Sequence, residues 1–475
     1  MGQPAGRPAQ DIDVEAIITG LMARGRKAMA SLKDADQARV DEAVTALAWS
    51  IYKPENARAL AEMAVEDTGL GTVESKIIKN TRKTFGALRD LMRARTVGII
   101  EEDKARGLVK YGKPVGVVAA ICPSTNPAAT PINKAMMAVK GANAVIIAPS
   151  PAGLATSTRT VELARMELEK AGFDPDLIQV LPAPVNKALT HELMRQCDLI
   201  VCTGSQNNVR QAYSSGTPAI GVGAGNVPVI IDSGIDYDDA AEKICASKTF
   251  DNSTSCSSEN SLVIIDDAFD DAIAALQRAG GYMASDAERQ NILDTLWVNG
   301  NLNRHVIAKD PDILAEAFGM PEAAKSCKFF MAMEEGVGDD YPLSDEKLSL
   351  VLTVYRVKDF DAAVAKVDEI LAYKGAGHSC GIHTSDPAKP KRLAEELDVV
   401  RVLVNQAHTF GNGGSFNNGL NFTLSMGCGT WAGNSISENL NYSHFINITH
   451  LVTTVGEDKP SEEEMFGAYW GRYGQ

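Results

Sequence analysis

Of eight cysteines, Cys256 occupies the most unusual setting. The stretch "FDNSTSCSSENSLVII" (250–265) carries it among Ser, Thr and Asn, immediately before an apolar run. A thiol placed there is either a small packing residue or a nucleophile. Three features favour the nucleophile. The loop is polar, with no apolar stripe. The strand that follows holds it from one side. The preceding "ICASKTFDN" reads as a helix ending close to the thiol. A nucleophilic cysteine also needs donors for the oxyanion that its attack creates. Its own backbone N–H is one, and a side-chain amide can be the other. Asn126, in "PSTNP", is the candidate amide. The remaining cysteines (Cys122, Cys197, Cys202, Cys245, Cys327, Cys380, Cys428) form no CxxC pair and no Cys/His set with zinc spacing. They read as buried apolar residues in a reducing cytoplasm, and no metal is expected.

The elements that must position these residues alternate along the chain. Residues 13–32, 36–52 and 56–69 have apolar residues at helical spacing. Residues 98–113 read as a β-hairpin around Lys104–Arg106, polar enough to face solvent or a partner subunit. Then come "VGVVAAICP", "AVIIAP", "IQVLPA", "LIVCTG" and "VPVIIDS", short unbroken apolar runs separated by helical stretches. That pattern means a parallel sheet covered on both faces. Ligands of such sheets sit beyond the carboxyl ends of the strands, where "PSTNP", "PSP", "PAPVN" and "TGSQNN" lie. A second series follows: "SLVIID", "LVLTVYRV", "SCGIHT" and "VVRVLVN", with helices such as "DDAIAALQRAGG" and "FDAAVAKVDEILAY" between them. Late in the chain, "HFINITHLVTTVGED" reads as a strand with no sheet of its own, of the kind that joins another domain or subunit. The division expected is a nucleotide-binding domain over 1–232, with the 98–113 hairpin belonging to an oligomerisation arm. A catalytic domain over 233–428 and a return segment with the oligomerisation strand over 429–475 complete it.

Composition removes several function classes. The chain has 475 residues, 45% of them hydrophobic, so two or three domains with large cores are expected. A net charge of −15 argues against nucleic acid or an anionic membrane as partner. No apolar run is long enough to span a bilayer, and the first sixteen residues lack the apolar core of a secretory signal.

Four segments carry a resemblance: "ICPSTNPAATPINKAMMAVKGANAVIIAPSP", "AYSSGTPAIGVGAGNVPVIID", "FDNSTSCSSENSLVI" and "GGSFNNGLNFTLSMGCGTWAGNSISENLNYSHFIN". In order, over roughly residues 10–455, they resemble the acylating, coenzyme-A-dependent branch of the aldehyde dehydrogenase superfamily. The resemblance implies an α/β fold with two parallel-sheet domains plus a β oligomerisation arm, and a homodimer or homotetramer. It implies NAD or NADP bound without a GxGxxG motif, coenzyme A as co-substrate, and Cys256 with Asn126 as catalytic pair. Where the hydrolytic branch carries a general-base Glu in ELGGKSP, this chain has "VGAGNVP", with Val222 at the Glu position. Without that carboxylate, water attacking the thioester has no proton acceptor there, and the acyl group waits for a thiol such as coenzyme A.

Further residues follow from the resemblance alone. Ser150 is placed near the adenosine, and Gly204 and Ser205 close to the cofactor. Glu346 is placed on the nicotinamide ribose, although Leu350 stands where the family usually has Pro. Ala148 replaces a common Lys, which leaves NAD against NADP open. His378 matches a His of the acylating branch, placed to assist the coenzyme A thiol, with a structural or coenzyme-A-contacting role equally open. His408, Thr409, Asn412, Ser415, Asn417 and Asn418 form mouth-of-site loops suited to an anionic tail, or serve as turn residues. The subgroup with "GGSFNNG" resembles enzymes for short functionalised aldehydes. That puts sulfoacetaldehyde first, with succinate semialdehyde, acetaldehyde or propionaldehyde as alternatives. A hydrolytic enzyme and an inactive scaffold stay in view; Val222 opposes the first, Cys256 with Asn126 the second.

Overall fold

A computed structural model describes residues 13–475. The N-terminal stretch read as lacking a secretory signal lies almost wholly outside them. Two parallel sheets and one antiparallel arm organise the chain. The first sheet has five strands in the order Ile178–Val180, Ala144–Ala148, Val117–Ile121, Leu199–Cys202 and Ala219–Gly221, all parallel. Its central strands are buried along their whole length, as unbroken apolar runs require when helices cover both faces. Helices Val14–Ala30, Gln37–Tyr52 and Pro54–Thr68 lie where the 3.6-residue spacing places them. Asp13 and Asp36 cap the first two, each side chain accepting a backbone N–H of the first turn. Helix Ala129–Lys140 is buried throughout. Its Lys134 ammonium donates to the carbonyls of Ile121 (2.6 Å) and Val201 (3.0 Å), tying together the carboxyl ends of two neighbouring strands.

The second sheet has seven parallel strands: Gly281–Met283, Phe329–Met333, Val351–Val357, Glu259–Ile265, Val227–Ile231, Cys380–His383 and Val402–Val404. Strand Val227–Ile231, read with the first series and placed before a boundary at residue 232, lies near the middle of this second sheet. The first sheet takes Ala219–Gly221 as its last strand. The boundary therefore falls between residues 221 and 227. An apolar strand carries no mark of which sheet it enters, because either interior accepts Val and Ile.

Hairpin Gly98–Asp103 and Leu108–Pro114 forms as expected. The late strand, Ile446–Val452, adds to Leu108–Pro114 in antiparallel register, so it has a sheet within its own chain. Helix Glu462–Tyr473, capped by Ser461, ends the chain with no buried residue. Among the described residues no helix is long and apolar enough to cross a membrane, and no His/Cys/Asp/Glu group has a metal-binding arrangement.

Candidate active site

Helix Tyr237–Thr249 ends seven residues before Cys256. Between them Asp251, Asn252 and Ser253 all adopt left-handed backbone, at φ +51°, +50° and +63°. Each such non-glycine residue costs about 1–3 kcal/mol, so the run persists only where its surroundings over-determine it. They do. The buried Asp251 carboxylate accepts the Thr72 N–H (2.9 Å), the Thr254 hydroxyl (2.7 Å), Lys76 Nζ (3.1 Å) and Lys79 Nζ. Its own N–H donates to Ser75 Oγ at 3.0 Å. Asn252 Nδ2 donates to Asp310 (2.7 Å) and Ser253 Oγ to Ser258 Oγ (2.8 Å). Gly71 permits this approach: at φ +73°, a Cβ there would stand 1.9 Å from Asp251 Oδ1.

Cys256 follows, half-buried, in the turn closed by Ser258 N–H on Ser255 O. The segment Gly223–Gly225 runs against it. A Cβ on Gly225 would lie 1.8 Å from the Cys256 carbonyl oxygen, so only glycine fits. The thiol is pushed up to about 12, by burial first and then by the charges of Glu346 and Cys428, while Arg401 pulls the other way. In this state it holds its proton at neutral pH. Arg401 is buried and has only neutral acceptors: Asn439 Oδ1 (2.9 Å), the His378 carbonyl (2.7 Å) and the Gly427 carbonyl. Val222, the residue aligned by resemblance with the hydrolytic branch's Glu, is buried, with its N–H on Cys202 O.

Asn126 sits half-buried beyond strand Val117–Ile121, lining a small cavity with Lys76, Lys79 and Asn80. Lys76 joins the loops that carry Asn126 and Cys256, because the same ammonium that pairs with Asp251 donates to Thr125 O at 3.1 Å. Ser150, Gly204 and Ser205 also follow strand ends of the first sheet. Ser205 Oγ accepts the Asn208 N–H as the cap of helix Gln206–Ser214, and Ser150 starts a short 3-10 turn.

Glu346 and Gly223–Gly225 line a cavity of about 430 Å³ that also touches Gln206, Lys374 and Ala432. Burial, followed by the neighbouring Asp345, raises its carboxyl to about 8. Lys347 anchors the loop from inside, its ammonium on the carbonyls of Leu343 (2.7 Å) and Asp345 (3.0 Å). Leu350 is buried and its carbonyl accepts the Phe330 N–H, so the absence of Pro leaves this loop hydrogen-bonded to its neighbouring strand.

His378 is fully buried with Nδ1 on Ser379 Oγ, and it lies outside that cavity's lining. Burial holds it neutral, well below the usual histidine range. His408, expected at the mouth, is in the interior: its Nδ1 meets the Ser257 carbonyl at 2.9 Å and its N–H donates to Glu259. Thr409 and Asn412 are likewise buried; Asn412 Nδ2 donates to Ser257 Oγ at 2.9 Å. These residues brace the loop after Cys256. Of the same segment, Ser415 is buried and accepts from Arg82 at 3.0 Å, Asn417 is exposed and accepts from Ser415 at 2.6 Å, and Asn418 receives the Ser415 N–H.

Lys76, Lys79, Asp251 and Arg401 carry much of this geometry, yet they escaped the sequence reading. A lysine on an amphipathic helix reads as solvated. The only local hint is that Lys76, Lys79 and Lys83 recur at helical spacing, on the face that also bears Asn80.

Comparison with known proteins agrees with this architecture. A profile of the "Aldehyde dehydrogenase family" matches residues 11–290. A sulfoacetaldehyde dehydrogenase (acylating) of Cupriavidus necator is 50% identical over 99% of this chain and 96% of its own length. One from Bilophila wadsworthia is 43% identical over 96% and 98%. The crystal structure of an acetylating aldehyde dehydrogenase from Geobacillus thermoglucosidasius superposes with a TM-score of 0.90 at 35% identity, covering 95% of this chain and all of that one. With its two parallel sheets, its antiparallel arm and relatives of this extent, the chain belongs to the aldehyde dehydrogenase family, in its acylating branch.

Proposed function

We propose that this chain oxidises sulfoacetaldehyde to sulfoacetyl-coenzyme A, reversibly, with NAD or NADP. The observation that carries the reading is Cys256 in a braced polar loop with a buried Val222 in place of the hydrolytic base. The relative of like name at 50% identity supports the substrate. Cys256 sulfur adds to the aldehyde carbonyl, and the thiol proton passes to solvent water. The resulting oxyanion accepts hydrogen bonds from the Asn126 amide and the Cys256 N–H. Loss of the aldehyde hydrogen as hydride leaves a thioester on Cys256. The oxidised nicotinamide, when bound, supplies the hydride acceptor. The Glu346 cavity and the strand ends bearing Ser150, Gly204 and Ser205 suit such a cofactor, placed where parallel sheets bind nucleotides. The thiol of coenzyme A then attacks the thioester and releases Cys256.

The antiparallel arm exposes Ile448, Leu451 and Val452, and three strands alone cannot bury such a face. We assign the arm to contact with a second copy, as a dimer or tetramer.

The experiment follows reduced nicotinamide with sulfoacetaldehyde, NAD or NADP, and coenzyme A present or omitted. Sustained turnover with coenzyme A alone, lost in Cys256→Ala, is expected. Equal turnover without it would refute the acylating assignment.

A further inference from the structure

The helix that braces the Cys256 loop contains a break. After Val73–Ile78 the chain makes a π-turn over Lys79–Lys83 before resuming as Thr84–Met92. Such bulges re-aim side chains and cluster at functional sites. This one gathers positive charge in a protein of net charge −15. Lys76 and Lys79 share a single carboxylate, Asp251. Lys83 is buried and donates to the Gly413 carbonyl at 3.0 Å. Among the described residues Arg82 gives one hydrogen bond, Nη2 to Ser415 Oγ, while its Nε is buried with no acceptor. Among the described residues no carboxylate pairs with Arg82 or Lys83. A buried guanidinium N–H without a partner is costly, and it marks a place where an acceptor is missing.

The surroundings fit a small anion held by one end. Arg82 lies over Phe416 (5.1 Å) and near Phe410 (5.9 Å), and Phe410 packs on Phe250 at 4.7 Å between centroids. One turn back, Lys79 reaches Thr254 Oγ at 3.0 Å, two residues from Cys256. Asn412, from the same segment as Ser415, holds Ser257. Arg82 is thus tied from two sides to the neighbours of Cys256. It lies outside the lining of the Glu346 cavity.

We propose that Arg82, with the Ser415 hydroxyl, takes the anionic tail of the aldehyde and so selects a charged substrate. A sulfonate offers the planar guanidinium fork two oxygens, and the Ser415 hydroxyl reaches a third by turning its proton away from the exposed Asn417 Oδ1. Lys83 acts at one remove, fixing the Gly413–Gly414 carbonyls and hence the position of Ser415. The inference rests on the substrate reading above, and it extends to any short aldehyde with an anionic end.

The test compares wild type, Arg82→Gln and Arg82→Lys on sulfoacetaldehyde, succinate semialdehyde and uncharged propionaldehyde, at saturating coenzyme A and nicotinamide. The ratio of kcat/KM for sulfoacetaldehyde to that for propionaldehyde should fall about 100-fold in Arg82→Gln, mostly through KM. Arg82→Lys should recover part of it. A second readout needs no turnover: the rate of Cys256 alkylation by iodoacetate relative to iodoacetamide should drop in Arg82→Gln. An equal loss on charged and uncharged aldehydes, no loss, or a loss confined to the KM of coenzyme A would overturn the assignment. If wild type uses sulfoacetaldehyde but Arg82→Gln leaves the ratio of sulfoacetaldehyde to propionaldehyde unchanged, only Arg82 falls. If wild type prefers succinate semialdehyde and its ratio to propionaldehyde falls in Arg82→Gln, Arg82 stands and the substrate changes. A wild type that prefers propionaldehyde refutes both.

Discussion

Replacing Asp251 with Asn removes the one negative charge on which Lys76 and Lys79 converge, while keeping the shape of the side chain. Both ammonium groups are almost fully buried, and the carboxylate is fully so. Removing one partner of a buried pair costs about 3–5 kcal/mol. Three contacts lower that figure here. Asn keeps an oxygen for the Thr72 N–H, Lys76 keeps Thr125 O, and Lys79 keeps Thr254 Oγ. We therefore expect about 3 kcal/mol near pH 6.5, or about 6–12 °C in the melting temperature of a unit of this size. The sign with pH is specific. Burial already depresses Lys76 to about 8 from 10.5, with Asp251 opposing the shift. Without Asp251 the depression deepens, and Lys76 sheds its proton at a lower pH in the folded state. A folded lysine that binds fewer protons than the unfolded one gains stability as pH rises through that window. The deficit of Asp251→Asn should therefore shrink between pH 6.5 and pH 9. The Asp251 carboxyl itself is lowered below 3.8, so its contribution disappears only below that pH and does not confuse the comparison. Thermal melts of both proteins at pH 6.5, 7.5 and 9 provide the assay. A deficit below about 1 kcal/mol, or one that does not change with pH, would show that these lysines are not what holds the strained loop.

Two further substitutions test the site at other points. Gly225→Ala puts a methyl into the Cys256 carbonyl, and displacing the nucleophile by about 1 Å should lower kcat about 100-fold; stopped-flow measurement of the first acyl-enzyme turnover checks this, and wild-type rates would show that the loop is free to yield. Glu346→Gln removes a charge that raises the Cys256 thiol, so the thiolate fraction rises and iodoacetamide should alkylate Cys256 faster at pH 8.5, whereas slower alkylation would mean that the carboxylate serves as its base.

Much of this molecule is legible from its sequence, for identifiable reasons. Strand Val117–Ile121 is an unbroken apolar run and helix Phe360–Tyr373 carries complete 3.6-residue periodicity, and each forms where its pattern places it. Gly69 ends its helix at φ +65°, as a left-handed cap should. Strand membership was not legible, since Val227–Ile231 is chemically like its neighbours of the first sheet and only its pairing with Glu259–Ile265 and Cys380–His383 decides its place. Phe329–Met333 escaped for a related reason: five apolar residues after a loop fit a strand or a buried turn of helix equally well. At the site, Cys256 and Asn126 could be proposed because a polar loop beside a strand end is visible locally. Asp251 could not, because its meaning depends on Lys76 and Lys79, more than 170 positions away. His408 was misplaced because a histidine close to Gly and Asn reads as a loop residue, whereas its ring is buried against the Ser257 carbonyl and Gly381 of the second sheet.

The distribution of charge around Cys256 connects these residues into one chemical logic. Next to the thiol, Glu346 raises it and Arg401 lowers it, and burial outweighs both, so the resting group is a thiol with little nucleophilic character. Such a cysteine is protected from adventitious alkylation and oxidation, and it needs its environment to change before it reacts. The Lys76–Lys83 turn supplies the sign of charge that favours both a thiolate and an anionic tail, but two of its four cations are already committed to Asp251. An anion arriving at Arg82 removes part of the remaining positive field. Tail binding therefore works against thiolate formation, and any net gain in reactivity must come from holding the carbonyl against the sulfur and the oxyanion donors. An anionic aldehyde should accordingly gain its rate through positioning rather than through thiol activation. Alkylation of Cys256 by iodoacetamide should then not speed up when a short sulfonate lacking the aldehyde, such as ethanesulfonate, is added; a faster reaction would place the effect on the thiol instead.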